Sequence, residues 1–132
     1  MKQITLWFAL LALLFTACQQ GDSDSSKKQE VKTEILKIHD EIMPLKEDFD
    51  RASLEIEDIL NATEDVENDP NAQMLISLKE KMEHANDEMM EWMNDYEMEN
   101  NDLGYLETEL EKVKNLEDKY LNADTQRKEL LN

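Results

Sequence analysis

The feature that most constrains the fold is a long repeat of apolar residues spaced alternately four and three. Its members are Val31, Ile35, Ile38, Ile42, Leu45, Phe49, Ala52, Ile56, Ile59, Thr63 and Val66. Such spacing averages one apolar residue per 3.5, so it forms one narrow stripe on a long helix, and partner helices must cover that stripe. Glu, Asp and Lys dominate the other faces. The repeat therefore predicts an all-α fold with coiled-coil-like packing.

Composition limits the chain to a single helical domain. Its 132 residues include only two Gly and two Pro, which leaves few places for turns and argues against a sheet. The net charge of -18, from 14 basic and 32 acidic residues, would repel the phosphates of nucleic acid, so no nucleic-acid partner is expected. Acidic side chains on the outer face of a bundle are ordinarily a solvated surface.

The N-terminus carries a targeting pattern. Lys2 precedes an almost unbroken apolar run, Ile4 to Phe15, and Thr16-Ala17-Cys18 follows. The pattern resembles a bacterial lipoprotein signal, with Phe15 where Leu is usual. The resemblance implies that residues 1–17 are removed and that mature Cys18 carries several acyl chains, palmitate among them, which together anchor a protein stably. A soluble secreted protein and an uncleaved anchor are the alternatives, although the run is shorter than the roughly 20 apolar residues of a spanning helix.

Cys18 is the only cysteine, so it cannot form an internal disulfide and is available for lipid attachment. The expected location is the outer membrane, facing either the periplasm or the cell surface. Residues 18–28 are polar and lack apolar periodicity, which predicts a flexible acidic tether before a bundle spanning residues 29–132. Asp22 and Asp24 weakly resemble acidic export signals of surface lipoproteins in Bacteroidota, with an ordinary acidic linker as the alternative.

Turn signals divide the bundle into three helices. Helix one is predicted from about Lys28 to Glu67; Asp69 then caps helix two, and Pro70 occupies its first turn, where no amide hydrogen is needed. Residues 100–102 separate helix two from helix three. The predicted core residues of these two helices are Leu75, Leu78, Met82, Ala85, Met89, Trp92 and Tyr96, then Leu103, Leu106, Leu110, Val113, Leu116, Tyr120, Ala123, Leu130 and Leu131.

Short connections between helices force antiparallel neighbours, so we expect an up-down-up three-helix bundle whose first helix is the longest. The spacing from Leu110 through Val113 to Leu116 contains consecutive threes, which predicts a local slip in the repeat. Exposed Leu36, Leu54 and Leu60 could add a weak association surface, but a monomer is expected.

Two unusual segments are predicted to meet in one layer. The first is His39-Asp40-Glu41-Ile42-Met43-Pro44, in which Pro44 deprives the Asp40 carbonyl of its helical partner and should kink helix one. The second is Met89-Met90-Glu91-Trp92-Met93. If the chain folds back near residues 68 and 69, residues whose numbers sum to about 137 lie at one height, so Pro44 should face Met93 and His39 should lie near Met98.

The layer has two interpretations. As packing, the methionines fill irregular space around a kink and a tryptophan, and His39 is a locally hydrogen-bonded flanking residue; this layer comprises His39, Met43, Pro44, Met89, Met90, Trp92 and Met93. As a binding site, imidazole and thioether groups suit Cu(I) or an axial haem position, with His39, Met43 and Met93 as the candidate ligands. The packing interpretation is preferred, and no cofactor is expected.

His39-Asp40-Glu41-x-Met43-Pro44, Met89-Met90-x-Trp92-Met93 and Tyr105-Leu106-Glu107 together resemble small helical lipoproteins of Bacteroidota, sometimes labelled viral A-type inclusion proteins. The resemblance covers about residues 30–121 and implies no activity. The leading functional hypothesis is a lipid-anchored envelope module that contacts another envelope protein. The alternative is a periplasmic soft-metal or haem-binding protein. An enzyme is not expected, because scattered carboxylates without a cleft do not form an acid–base pair.

Overall fold

The computed structural model describes residues 19–131 of the chain, with side chains from residue 23 onward. This part of the protein contains three helices and no strand: α1 (Gln19–Ala62), α2 (Pro70–Asp95) and α3 (Leu103–Leu130). Every pair of helices is in contact. Both connections are short, and Lys32 near the start of α1 donates to the carbonyl of Met98 after α2 (2.9 Å). The predicted all-α, up-down-up three-helix bundle is confirmed.

One hydrophobic core runs between the helices. The apolar repeat of α1 is buried from Val31 to Ile56 except at Leu45, which is partly buried, and Phe49 stacks on Tyr120 of α3 with 5.1 Å between ring centroids. The buried apolar residues of α2 and α3 are Ala72, Leu75, Leu78, Met82, Ala85, Met89 and Trp92, then Leu106, Val113, Leu116, Tyr120 and Ala123. The repeat predicted for α1 fails at its distal end, because Ile59 is 39% exposed and both Thr63 and Val66 lie beyond the helix.

Side-chain caps fix the starts of α2 and α3. Asp69 accepts hydrogen bonds from the backbone amides of Asn71 (2.8 Å) and Ala72 (3.4 Å), and Pro70 is the first residue of α2, as predicted. Asp102 caps α3 in the same way by accepting from the amide of Tyr105 (2.8 Å). These bonds satisfy amides that have no partner within their own helix.

The predicted flexible tether is wrong over residues 19–28, because α1 already begins at Gln19. Two ion pairs support this early start: Lys28 Nζ lies 2.7 Å from Asp24 Oδ2 one turn earlier, and Lys27 Nζ lies 2.5 Å from Glu107 Oε1 on α3. Extending an existing helix adds one hydrogen bond per residue fixed and avoids the cost of a new nucleus. A polar sequence without proline can therefore continue the helix.

The far end of α1 is also shorter than predicted. The helix ends at Ala62 instead of Glu67, and Thr63 Oγ1 donates to the carbonyl of Ile59 (2.9 Å) just past it. Asp65 then accepts from the side-chain amide of Asn68 (3.0 Å). Such local side-chain bonds compete with the helical ladder and favour a turn.

Pro44 lies inside α1, and the helix is continuous through it, so the predicted bend stays a prediction.

Among residues 19–131, none of the helices combines the length and apolarity needed to cross a membrane. The predicted signal peptide and Cys18 lie outside the described residues. Of the predicted association residues, Leu36 and Leu54 are 45% and 64% exposed, whereas Leu60 is partly buried against the core.

Candidate functional site

Trp92 is the centre of an aromatic row that crosses the bundle. Its ring lies 6.0 Å from that of His39 on α1 and 5.1 Å from that of Tyr96, measured between centroids. The Tyr96 ring lies 6.4 Å from that of Tyr105 on α3. Burial raises the pKa of Tyr96, and the neighbouring Tyr105 and Glu109 raise it further. The row joins all three helices near the end of the bundle where α1 begins.

A buried carboxylate, that of Glu109, lies beside the aromatic row. Glu109 is 4% exposed, its Oε2 accepts from Trp92 Nε1 (2.8 Å) and its Oε1 accepts from Lys112 Nζ (2.8 Å). The hydrogen bond with Glu109 raises the pKa of Lys112. A buried carboxylate is costly unless it is paired and hydrogen-bonded, and both conditions hold here.

Sequence reasoning missed Glu109, although its spacing held the signal. Leu106, Glu109, Val113 and Leu116 follow each other at three, four and three residues, so Glu109 occupies the inward position that we assigned to Leu110. Leu110 is only partly buried, and the predicted slip in the repeat is wrong. An acidic side chain is normally read as solvent-facing, and the partner that permits its burial is a tryptophan from another helix.

The predicted layer separates into two parts. Met89 and Trp92 are buried in the core, and His39 and Met43 are half-buried. Pro44 is exposed, and Met90 and Met93 are 51% and 39% exposed, so the prediction that these three pack in a common layer is wrong. Neighbouring residues on a helix point about 100° apart, so Met89 and Met90 cannot both face the core.

The predicted register holds near the turn and slips farther from it. Glu57 pairs with Lys79 and Asp50 with Asn86, and both pairs of residue numbers sum to 136, close to the predicted 137. His39, however, lies against Trp92, and the carbonyl of Met98 accepts from Lys32, so these two pairs of residue numbers sum to 131 and 130.

A polar network lies deeper in the bundle, around Asn86. The Tyr120 hydroxyl donates to Asn86 Oδ1 (2.7 Å), and Asn86 Nδ2 donates to Asp50 Oδ1 (2.8 Å). Lys46 Nζ then lies 2.9 Å from Asp50 Oδ2. Burial, with the nearby charge of Asp50, raises the pKa of Tyr120. A polar group in a helical core fixes register, because a shifted partner would leave it unsatisfied.

The groove between α1 and α2 changes character along its length. On α1, residues seven apart form one stripe: Glu57, Asp50, Met43 and Leu36. On α2 the matching stripe is Lys79, Asn86 and Met93. Seven residues fall about 20° short of two full helical turns, so such a stripe keeps to one side of its helix. Lys79 Nζ contacts Glu57 Oε1 (3.0 Å) and Asn86 contacts Asp50, and Met43 and Met93 are the next members of the two stripes.

Four apolar side chains near these stripes, towards the end of the bundle where α1 begins, are called here the methionine edge: Leu36 and Met43 on α1, and Met90 and Met93 on α2. Leu36, Met90 and Met93 are each between 39% and 51% exposed, and Met43 packs partly against the core. Met90 follows Asn86 by four residues and therefore lies on the same side of α2. The edge is an exposed apolar surface on a chain whose net charge is -18.

Other large apolar side chains are exposed elsewhere on the surface, namely Leu54, Ile59, Met74, Met98, Leu121 and Leu130. A shallow groove between α2 and α3 is lined by residues including Lys81, His84, Asn115 and Lys119, and Lys119 Nζ lies 2.6 Å from Glu88. Within residues 19–131, no three His, Cys, Asp or Glu side chains gather as a metal site would require. His39 Nδ1 lies 2.9 Å from Asp40 Oδ1, which agrees with the predicted local hydrogen bond.

No protein-family model matches this chain, and neither the curated proteins nor the solved structures give a match. Fold class and site geometry are thus the observations from which a function can be inferred. The resemblance of three short motifs to small helical lipoproteins of Bacteroidota stays a prediction.

Proposed function

We propose that this protein is a lipid-anchored module of the bacterial cell envelope that acts by binding another protein. The observation that carries the proposal is the apolar run ending in Cys18, placed directly before a helical bundle. The first residue of α1 is Gln19, and by Lys27 the helix already contacts α3. Acyl chains on Cys18 would thus hold the bundle close to the bilayer through a short helical stem.

The helical stem, Gln19 to Lys27, limits the distance between the lipid anchor and the bundle. An α-helix rises about 1.5 Å per residue, so the residues from Gln19 to Lys27 extend roughly 12 Å. A flexible linker would let the bundle sample many orientations, whereas a helix restricts them. The connection between α2 and α3 lies at the same end as the stem, and the connection between α1 and α2 lies at the far end.

The anchor is tested by mass spectrometry and detergent partitioning of protein from bacterial membranes. We expect wild-type protein to begin at Cys18, to carry acyl chains and to enter the detergent phase, and Cys18→Ser to lose all three properties. Gln20→Ala, two residues along, is the matched control and should behave as wild type. The same acyl mass in Cys18→Ser would refute the anchor.

The interaction role is tested by chemical crosslinking in intact envelopes. Wild-type protein should give adducts of discrete mass with another protein, and Cys18→Ser should lose them because it is released from the membrane. Recovery of uncrosslinked chain alone, under conditions that trap other envelope complexes, would refute the interaction role while leaving the anchor intact.

A soft-metal role is the second candidate, because His39 precedes Met43 by one helical turn and both side chains are half-buried. Anaerobic Cu(I) titration of the metal-free protein separates the two roles. The interaction role predicts no submicromolar site. A tight stoichiometric complex that is lost in His39→Ala would place the metal role first.

A further inference from the structure

We propose that the methionine edge binds a basic amphipathic helix of a partner protein. The inference rests on the proposed interaction role and specifies the chemistry of the partner. Two observations support it: the exposed apolar side chains of the edge and the acidic residues around it.

The apolar side chains have the spacing and softness of a helix-binding surface. Leu36 and Met43 are seven residues apart on α1, and Met90 and Met93 are three apart on α2. Two roughly antiparallel helices leave a groove that a further helix can occupy, as in a four-helix bundle. Methionine side chains are flexible and polarisable, so they adapt to the apolar face of such a helix.

Acidic residues surround the methionine edge and favour a positively charged partner. Asp40 and Glu47 stand three residues before and four after Met43, and Asp87 stands three before Met90; all three are exposed. Side chains at these spacings are neighbours on a helix surface. The nearby cations on α1 have partners of their own: Lys46 pairs with Asp50, Lys32 donates to the Met98 carbonyl, and Lys37 lies 3.8 Å from Glu41. A helix lying in the groove would place its flanking residues beside these carboxylates, which favours Lys and Arg.

Charge also argues against a second copy of this chain as the occupant. Each copy carries a net charge of -18, so two methionine edges brought together would also bring their acidic borders together. Like charges across an interface oppose association. The surface therefore fits a basic partner better than itself.

The test uses three fluorescein-labelled designed peptides of 18 residues and the full-length protein in non-ionic detergent. The first has Leu at helical spacing i, i+3, i+4 and i+7 with Lys elsewhere. The second replaces Lys with Glu, and the third replaces Leu with Ser. Fluorescence anisotropy measures binding, and protein-free micelles give the background. We expect micromolar binding of the Leu/Lys peptide and at least tenfold weaker binding of the other two.

Amino-acid substitutions test whether the peptide binds at the methionine edge. Met90→Ser with Met93→Ser should weaken binding of the Leu/Lys peptide about tenfold, because two apolar contacts are lost. Both side chains are substantially exposed, so unfolding midpoints should change little. Leu121→Ser is the matched control: Leu121 lies on α3, is 50% exposed and should leave affinity unchanged. Asp87→Asn with Glu47→Gln should weaken binding and reduce its dependence on salt.

Four peptide-binding results would overturn the proposal. They are equal binding of the Ser/Lys peptide, unchanged affinity in the methionine variant, equal loss in Leu121→Ser, and no peptide binding at all. A dimer that sedimentation detects and that the methionine variant disperses would also overturn it, because the occupant would then be a second copy. None of these results bears on acylation of Cys18, so the proposal can fail while the anchor stands.

Discussion

Replacement of Trp92 by alanine should show how much of the stability of the protein depends on the packing and hydrogen bonding of this one side chain. Trp92 is 7% exposed, and its indole nitrogen donates to a carboxylate that is itself buried. Truncation to Ala removes a large buried side chain, which costs about 3 to 5 kcal/mol. Glu109 also loses one of its two partners, and an unsatisfied buried polar group adds about 1 to 3 kcal/mol. Small domains are stable by only about 5 to 15 kcal/mol, so Trp92→Ala should remove much of the total.

Two further variants separate the stability lost with the packing of Trp92 from the stability lost with its hydrogen bond to Glu109. Trp92→Phe keeps an aromatic ring and removes the donor, so it should cost about 1 to 3 kcal/mol, mostly through Glu109. Adding Glu109→Leu to Trp92→Phe should recover part of the loss, because no buried acceptor then remains unpaired. His39→Ala should cost well under 3 kcal/mol, since the His39 side chain is 21% exposed and its hydrogen-bond partner in the described part of the chain is the exposed neighbour Asp40.

The assay is urea unfolding of the full-length protein, followed by circular dichroism at 222 nm and analysed by linear extrapolation. A loss below about 1 kcal/mol in Trp92→Ala, or an equal loss in His39→Ala, would contradict the packing argument. A further loss on adding Glu109→Leu to Trp92→Phe would show that the carboxylate contributes through apolar contacts or Lys112 and not through the indole.

Three other substitutions test the remaining features by the same unfolding measurement. Tyr120→Phe leaves Asn86 Oδ1 without its donor and should cost about 1 to 2 kcal/mol. Burial acts to raise the pKa of Asp124, but bonds from Lys128 and Arg127 outweigh it, so the net shift is downward. Asp124→Asn should therefore destabilise the protein above pH 4, with a difference from wild type that shrinks as pH falls below 4; a constant difference would contradict this. Pro44→Ala restores an amide hydrogen to an exposed helical position and should stabilise α1, and a loss would mean that the proline shape is needed.

The sequence was sufficient for the architecture because the determining signals are local. The alternation of four and three from Val31 to Ile56 identifies the buried stripe of α1 without any knowledge of its partners. Asp69 and Pro70 mark the start of α2 through backbone chemistry that needs only adjacent residues. Helix ends were less accessible: Gln19 and Ala62 are set by ion pairs and side-chain bonds that compete with the helix by small energies.

Only the tertiary structure decided which side chains share a site. Met89, Met90, Trp92 and Met93 form one cluster in the sequence, yet two are in the core and two are at the surface, because rotation of about 100° per residue divides adjacent positions between faces. Glu109 occupies a core position because the indole of another helix reaches it, and composition alone assigns such a residue to solvent. The methionine edge likewise exists only when α1 and α2 are aligned, since register between helices depends on the length of an irregular turn that periodicity does not encode.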